Sequence, residues 1–133
     1  MARRVVNPPE LKDSQRFKYN HAIVEDGRLY TSGQVGMDAE SNVVGDDVES
    51  QARKAFENLG VLLDAVGKDY SDIAKVTSYV VDIRENRDGY AKVYREFVEQ
   101  PYPCHTMLGV EALAFPEYLC EVEVDLPVDD QET

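Results

Sequence analysis

The chain has 133 residues, 43% of them hydrophobic, which is the size of one ordinary domain with a single core. Fourteen Lys and Arg against 26 Asp and Glu give a formal charge of −12, a surface ill suited to phosphate backbones or anionic membranes, so neither nucleic acid nor membrane is expected as a partner. No apolar run reaches the roughly 18–20 residues of a membrane helix and no continuous apolar stretch opens the N-terminus, so a soluble cytoplasmic protein is expected.

Residues 1–16 are polar, interrupted by Pro8 and Pro9, and read as an extended N-terminal arm of one domain spanning 1–133. The first twenty residues are the basic part: Arg3, Arg4, Lys12, Arg16 and Lys18 stand against Glu10 and Asp13, and no Lys or Arg follows Arg95. From Phe17 to Gly33, two β-favouring runs flank Glu25-Asp26-Gly27. Asp-Gly between such runs predicts a hairpin, with strands near 17–24 and 28–33. Residues 34–45, with Gly36, Asp38, Asn42 and Gly45, read as a loop.

Asp46 or Asp47 then caps a helix over about 47–66, because Val48, Ala52, Ala55, Phe56, Leu59, Leu62, Leu63 and Val66 trace one face of a 3.6-residue period. Gly67 sits where a helix commonly ends in left-handed backbone. Residues 73–83 are β-branched and aromatic and predict a buried strand. Asn86 or Asp88 opens a second helix with Tyr90, Val93, Tyr94, Phe97 and Val98 on one stripe, closed by Pro101 and Pro103. Strands follow at 104–113 and 119–126, separated by a turn at Phe115-Pro116-Glu117, and residues 127–133 read as a frayed tail. In the last strand Cys120, Val122, Val124 and Leu126 alternate with Leu119, Glu121, Glu123 and Asp125, making one face apolar and the other largely acidic. The order is that of an α+β fold with both helices on one face of a mixed sheet. The other face, with Tyr30, Tyr79 and Met107 as candidates, needs a partner, which homo-oligomerisation supplies.

Few residues suggest chemistry. His21 and His105 fit no metal-ligand spacing, and no GxSxG, Walker A or complete GxGxxG is present, so neither metal nor cofactor is expected. Cys104 and His105 are adjacent on a predicted strand and point to opposite faces, which argues against a nucleophilic pair. Glu121 has two readings. Burial at an interface would raise its pKa and fit it for acid–base work, whereas on an edge strand it would simply belong to a solvated acidic face.

Taken together, KYNHAIVEDGRLYTSGQVGMD, DDVESQARKAFENLGVLLDAVG, KVTSYVVDI, YREFV, YPCHT and CEVEV resemble the RidA/YjgF family, the reactive-intermediate deaminases also called the L-PSP endoribonuclease family. The resemblance covers about residues 17–126 and implies a chorismate-mutase-like fold and a homotrimer with small-molecule pockets between subunits. It also implies hydrolysis of enamine or imine intermediates to a 2-keto acid and ammonia, without metal or cofactor. Glu121 falls on the family's water-positioning glutamate, Ser32 and Gly33 on the pocket floor, and Tyr19 on the aromatic rim. The family's Pro-Ala-Arg-(Ser/Thr) reads Pro103-Cys104-His105-Thr106, so a histidine replaces the carboxylate-binding arginine while Thr106 keeps the hydroxyl. The pocket asparagine is replaced as well, by Ala91.

Replacing a bidentate guanidinium contact with one neutral hydrogen bond costs about 2–4 kcal/mol, or roughly 30- to 1000-fold in affinity. A neighbouring Glu121 would raise the pKa of His105 and restore part of the anion binding. Three functions follow in order: an imine or enamine deaminase with altered substrate preference, a non-catalytic trimeric metabolite-binding protein, and an endoribonuclease. The charge opposes the last, since residues 21–133 carry nine basic groups against 24 acidic ones.

Overall fold

The computed structural model describes residues 3–129, in which two helices pack on one face of a six-stranded mixed sheet. In chain order the elements are β1 (Arg4–Val6), β2 (Ala22–Glu25), β3 (Arg28–Thr31), α1 (Val48–Ala65), β4 (Lys75–Val81), α2 (Ile83–Phe97), β5 (Cys104–Val110) and β6 (Cys120–Pro127). Across the sheet the order is β1-β2-β3-β6-β4-β5, and only β4 and β5 run parallel. That pair is joined by α2, as a parallel return needs a crossover whereas an antiparallel one needs only a turn.

The hairpin and first helix form as the sequence leads one to expect. Asp26 and Gly27 both take positive φ, 55° and 75°, in a two-residue turn whose twist matches its flanking strands. The Asp47 side chain caps α1 by accepting from the Ser50 backbone N–H at 2.9 Å. At the other end Gly67 donates to Asp64 and Lys68 to Leu63 through their backbones, a Schellman motif that needs the left-handed backbone of Gly67 (φ 73°). Ala52, Ala55, Phe56, Leu59 and Leu62 of α1 are fully buried, and with Tyr90 and Val93 of α2 they cover Leu29, Val76, Val80 and Val122 of the sheet. Each large apolar side chain withdrawn from water contributes about 1.5–3 kcal/mol.

Several boundaries differ from the sequence expectation. The first sixteen residues are not simply an arm, since Arg4–Val6 pairs with β2 and Leu11 is buried. The strand expected from residue 17 begins at Ala22, because Gln15–Phe17 form a 3-10 turn and Lys18 takes φ 67°. Asp82 takes φ 52°, breaking the β-branched run so that α2 starts at Ile83, before Asn86. The Asn86 side chain instead donates to the Val81 carbonyl at 2.8 Å and secures the strand-to-helix junction. Pro127 closes β6 and Val128 is buried, its N–H donating to the Gly27 carbonyl; residues 130–133 of the expected tail lie outside the described residues.

Register divides the two faces. Tyr79 lies opposite Glu121, Thr77 opposite Glu123 and Lys75 opposite Asp125 on the helix-free side, with Tyr30 and Leu108 each 44% exposed. Met107, expected on that side, packs against the core beneath the helices, because β5 pairs it with the buried Ser78. Nor is β6 an edge strand: it lies between β3 and β4, which is why Glu121 is half-buried.

Candidate active site

A cavity of about 350 Å³ opens beside Glu121. Tyr19, Ser32 and Gly33 line it, so four of the six residues expected at the site come together within one chain. The Ser-Gly pair is placed by the end of β3: Ser32 receives its position from its backbone N–H on His21 O (2.8 Å) and its hydroxyl on Asn20 O (2.6 Å). The next residue, Gln34, exchanges two backbone hydrogen bonds with Val122, which fixes Gly33 beside Glu121.

Gly33 is required by space. A β-carbon there would stand 2.6 Å from Cδ and 2.7 Å from Cγ of Glu121. The carboxylate thus rests against bare backbone, and among the described residues no side chain or N–H donates to it. Burial raises the pKa of Glu121, Glu123 adds to the rise, and Lys12 opposes it. The carboxyl so placed lacks a donor among the described residues and has its pKa raised above the ordinary carboxylate value.

His105 and Thr106 lie elsewhere. Thr106 is exposed on β5, where its hydroxyl accepts from Lys75 Nζ at 2.7 Å. His105 is on the helix-covered side, stacked on Tyr94 with ring centroids 4.1 Å apart. Its Nε2 is 2.9 Å from Ser78 Oγ, which accepts from the Tyr90 hydroxyl at 2.6 Å, leaving the serine proton to go to the imidazole. Burial lowers the pKa of His105, with Lys75 adding to the effect. Within one chain Glu121 does not raise it, since the two side chains occupy opposite faces of the sheet.

His21 plays a structural part. It is 2% exposed, its Nε2 hydrogen-bonds Lys12 O at 2.8 Å, and its Nδ1 lies 3.2 Å from Gln34 Nε2. An amide N–H can only donate, so Nδ1 accepts and Nε2 carries the proton, the neutral form that burial favours. Through this contact the N-terminal segment is tied to the cavity. Lys12, Phe17, Phe115 and Tyr118 also line it, none of them singled out from the sequence. The one available signal was the concentration of positive charge before residue 20.

A half-buried carboxyl at the wall of a small cavity, on an α+β scaffold, is the candidate small-molecule site of this chain. The chain belongs to the RidA/YjgF family: the family model described as Endoribonuclease L-PSP matches residues 13–126. Human 2-iminobutanoate/2-iminopropanoate deaminase is 31% identical over 96 residues, covering 71% of this chain and 69% of that protein. The RutC family protein YjgH of Escherichia coli K12 is 35% identical over 111 residues, covering 83% and 84%. Among solved structures, protein YJGH superposes with a TM-score of 0.87 at 32% identity, covering 98% of this chain and all of that one. YyfA of Yersinia pestis, from the conserved Rid protein family, gives 0.88 at 26% identity, covering 96% and 100%.

Proposed function

We propose that this chain hydrolyses the C=N bond of 2-imino acids, releasing ammonia and a 2-keto acid, with Glu121 activating the water. The observation that carries the reading is the Glu121 carboxyl, half-buried against Gly33 at the cavity wall with its pKa raised by burial. A carboxyl whose pKa is raised by burial holds a proton more readily than a free carboxylate and can give it back to nitrogen. Glu121 takes a proton from the water as its oxygen bonds to the imine carbon, the C=N electron pair moves to nitrogen, and Glu121 returns the proton to that nitrogen. The resulting carbinolamine loses ammonia as its C–N bond breaks and the C=O bond forms, the hydroxyl proton passing through Glu121 to the leaving nitrogen. Ser32 and Tyr19 shape the wall around the reacting carbon.

The same reading makes the chain a homotrimer, its helix-free sheet faces turned inward and each cavity completed by a neighbour. The exposed Tyr30 and Leu108 and the free edge of β5 support that assembly. Thr106 would then meet a neighbouring subunit's cavity, while His105 acts by holding β5 against α2.

The test is ammonia release from imines generated in place by an amino-acid oxidase. Acceleration by the wild type, and a loss of about a hundredfold or more in Glu121→Ala, are expected. A metabolite retained through purification that is not turned over when returned would overturn the reading in favour of a binding protein.

A further inference from the structure

A second cavity, of about 330 Å³, shares Lys12, Phe17, Phe115 and Tyr118 with the one beside Glu121. The two adjoin through a wall of three aromatic rings and one ammonium. A three- or four-carbon imino acid, the kind named for the human relative, fills only a small part of this space. Phe17 and Phe115 are 51% and 49% exposed, with the Arg16 guanidinium 4.9 Å from the centre of the Phe17 ring. Phe115 and Tyr118 meet edge-to-face, with centroids 5.4 Å apart, leaving an aromatic surface between the cavities.

Lys12 is the cation lining the Glu121 cavity among the described residues. It makes no ion pair with any described carboxylate, and its Nζ stands 5.9 Å from the ring centres of both Phe17 and Tyr19. Its backbone is held by buried His21, so the ammonium projects from a fixed point. In a 2-imino acid the carboxylate is bonded directly to the carbon that water attacks. The anion's partner and the water's partner must therefore line one cavity, as Lys12 and Glu121 do.

We propose that Lys12 binds the carboxylate of a 2-imino acid with a large apolar or aromatic side chain, which lies among Phe17, Phe115 and Tyr118. The proposal rests on the hydrolase reading for the reaction but concerns recognition, which is measurable without turnover. The reaction consumes R–C(=NH)–COO⁻ and water and yields R–C(=O)–COO⁻ and ammonia, so the 2-keto acid product is a stable probe.

Calorimetric titration of the full chain with phenylpyruvate, pyruvate and the neutral ketone phenylacetone tests it. Phenylpyruvate should bind at least about tenfold more tightly than pyruvate. Lys12→Met should weaken phenylpyruvate about ten- to a hundredfold and leave phenylacetone unchanged, while Lys12→Arg keeps most of the affinity. Equal binding of phenylpyruvate by wild type and Lys12→Met, or a preference for pyruvate, or no keto-acid binding at all, would overturn it. The expected binding pattern without turnover of any imine would uphold the recognition and defeat the hydrolase reading instead.

Discussion

Gly33→Ala isolates the placement of Glu121 from its chemistry. Gly33 does not adopt positive φ, so alanine brings no backbone strain, and the perturbation is one of space. The added carbon would overlap Glu121 Oε2 and lie 2.6 Å from Cδ, where ordinary contact begins near 3.4 Å, so the carboxyl must retreat by more than about 1 Å. A displacement of about 1 Å at a reacting group costs on the order of a hundredfold in rate. Stability should change far less, because the obstruction is the end of a flexible side chain beside open space: about 1 kcal/mol. With an unfolding entropy of about 2 cal/mol/K per residue, that is a fall of roughly 4 °C in Tm. The assay pairs kcat on oxidase-generated imines with a thermal melt followed by circular dichroism. Gly33→Ala with Glu121→Asp, one methylene shorter, should recover part of the rate. An unchanged kcat in Gly33→Ala would refute the claim that this wall positions the carboxyl.

Tyr90→Phe removes the donor to Ser78 in a fully buried pair and should destabilise by about 1–3 kcal/mol, seen as a Tm roughly 4–10 °C lower. No change would mean the Tyr90–Ser78–His105 chain contributes nothing to the fold. The pH dependence runs in two directions. Both histidines have folded pKa values below the ordinary 6.5, so the unfolded chain binds protons first and stability falls as pH drops below about 6.5, levelling once the folded histidines also protonate. Glu121 is opposite: its folded pKa lies above the ordinary 4.5, so its contribution to stability is present below that value and is lost as pH rises through the folded pKa. Urea titrations of Glu121→Gln should therefore show greater stability than wild type at pH 7 and none of that gain at pH 4, and equal curves at pH 7 would contradict the burial cost.

The parts of the fold legible in the sequence are those settled by local chemistry. The helical period, Asp47 and Gly67 define α1, and Asp26-Gly27 defines the hairpin, each within a few residues. The start of α2 was hidden because Val80, Val81 and Ile83 favour strand individually, while the left-handed turn at Asp82 between them has no composition signal. β1 has three residues and exists through pairing with β2, an interaction across about twenty positions. Period alone left Glu121 divided between a solvated face and a buried acid, since it cannot say whether a strand is central or at an edge. Likeness to a family singled out Glu121, Ser32, Gly33 and Tyr19, but could not find Lys12. Lys12 is set at the cavity by the hydrogen bond of His21, nine residues along, to its backbone carbonyl, and only the folded chain displays it.

The charge of the chain takes on a local meaning at this site. A net −12 opposes the approach of any anion, but at physiological ionic strength exposed charges are largely screened beyond about 8 Å. Once inside, an anionic substrate meets chiefly Glu121 and Lys12. Burial already inclines the Glu121 carboxyl to hold a proton, and a second carboxylate beside it would incline it further, since like charges at close range disfavour joint ionisation. Binding an anion without Lys12 would raise the Glu121 pKa further and oppose the ionised form that accepts a proton from water. The ammonium opposes the rise in the Glu121 pKa, so in the proposed reaction one cation would serve both affinity and ionisation. In the proposed reaction Lys12 would supply, from the N-terminal segment, the positive charge in the Glu121 cavity.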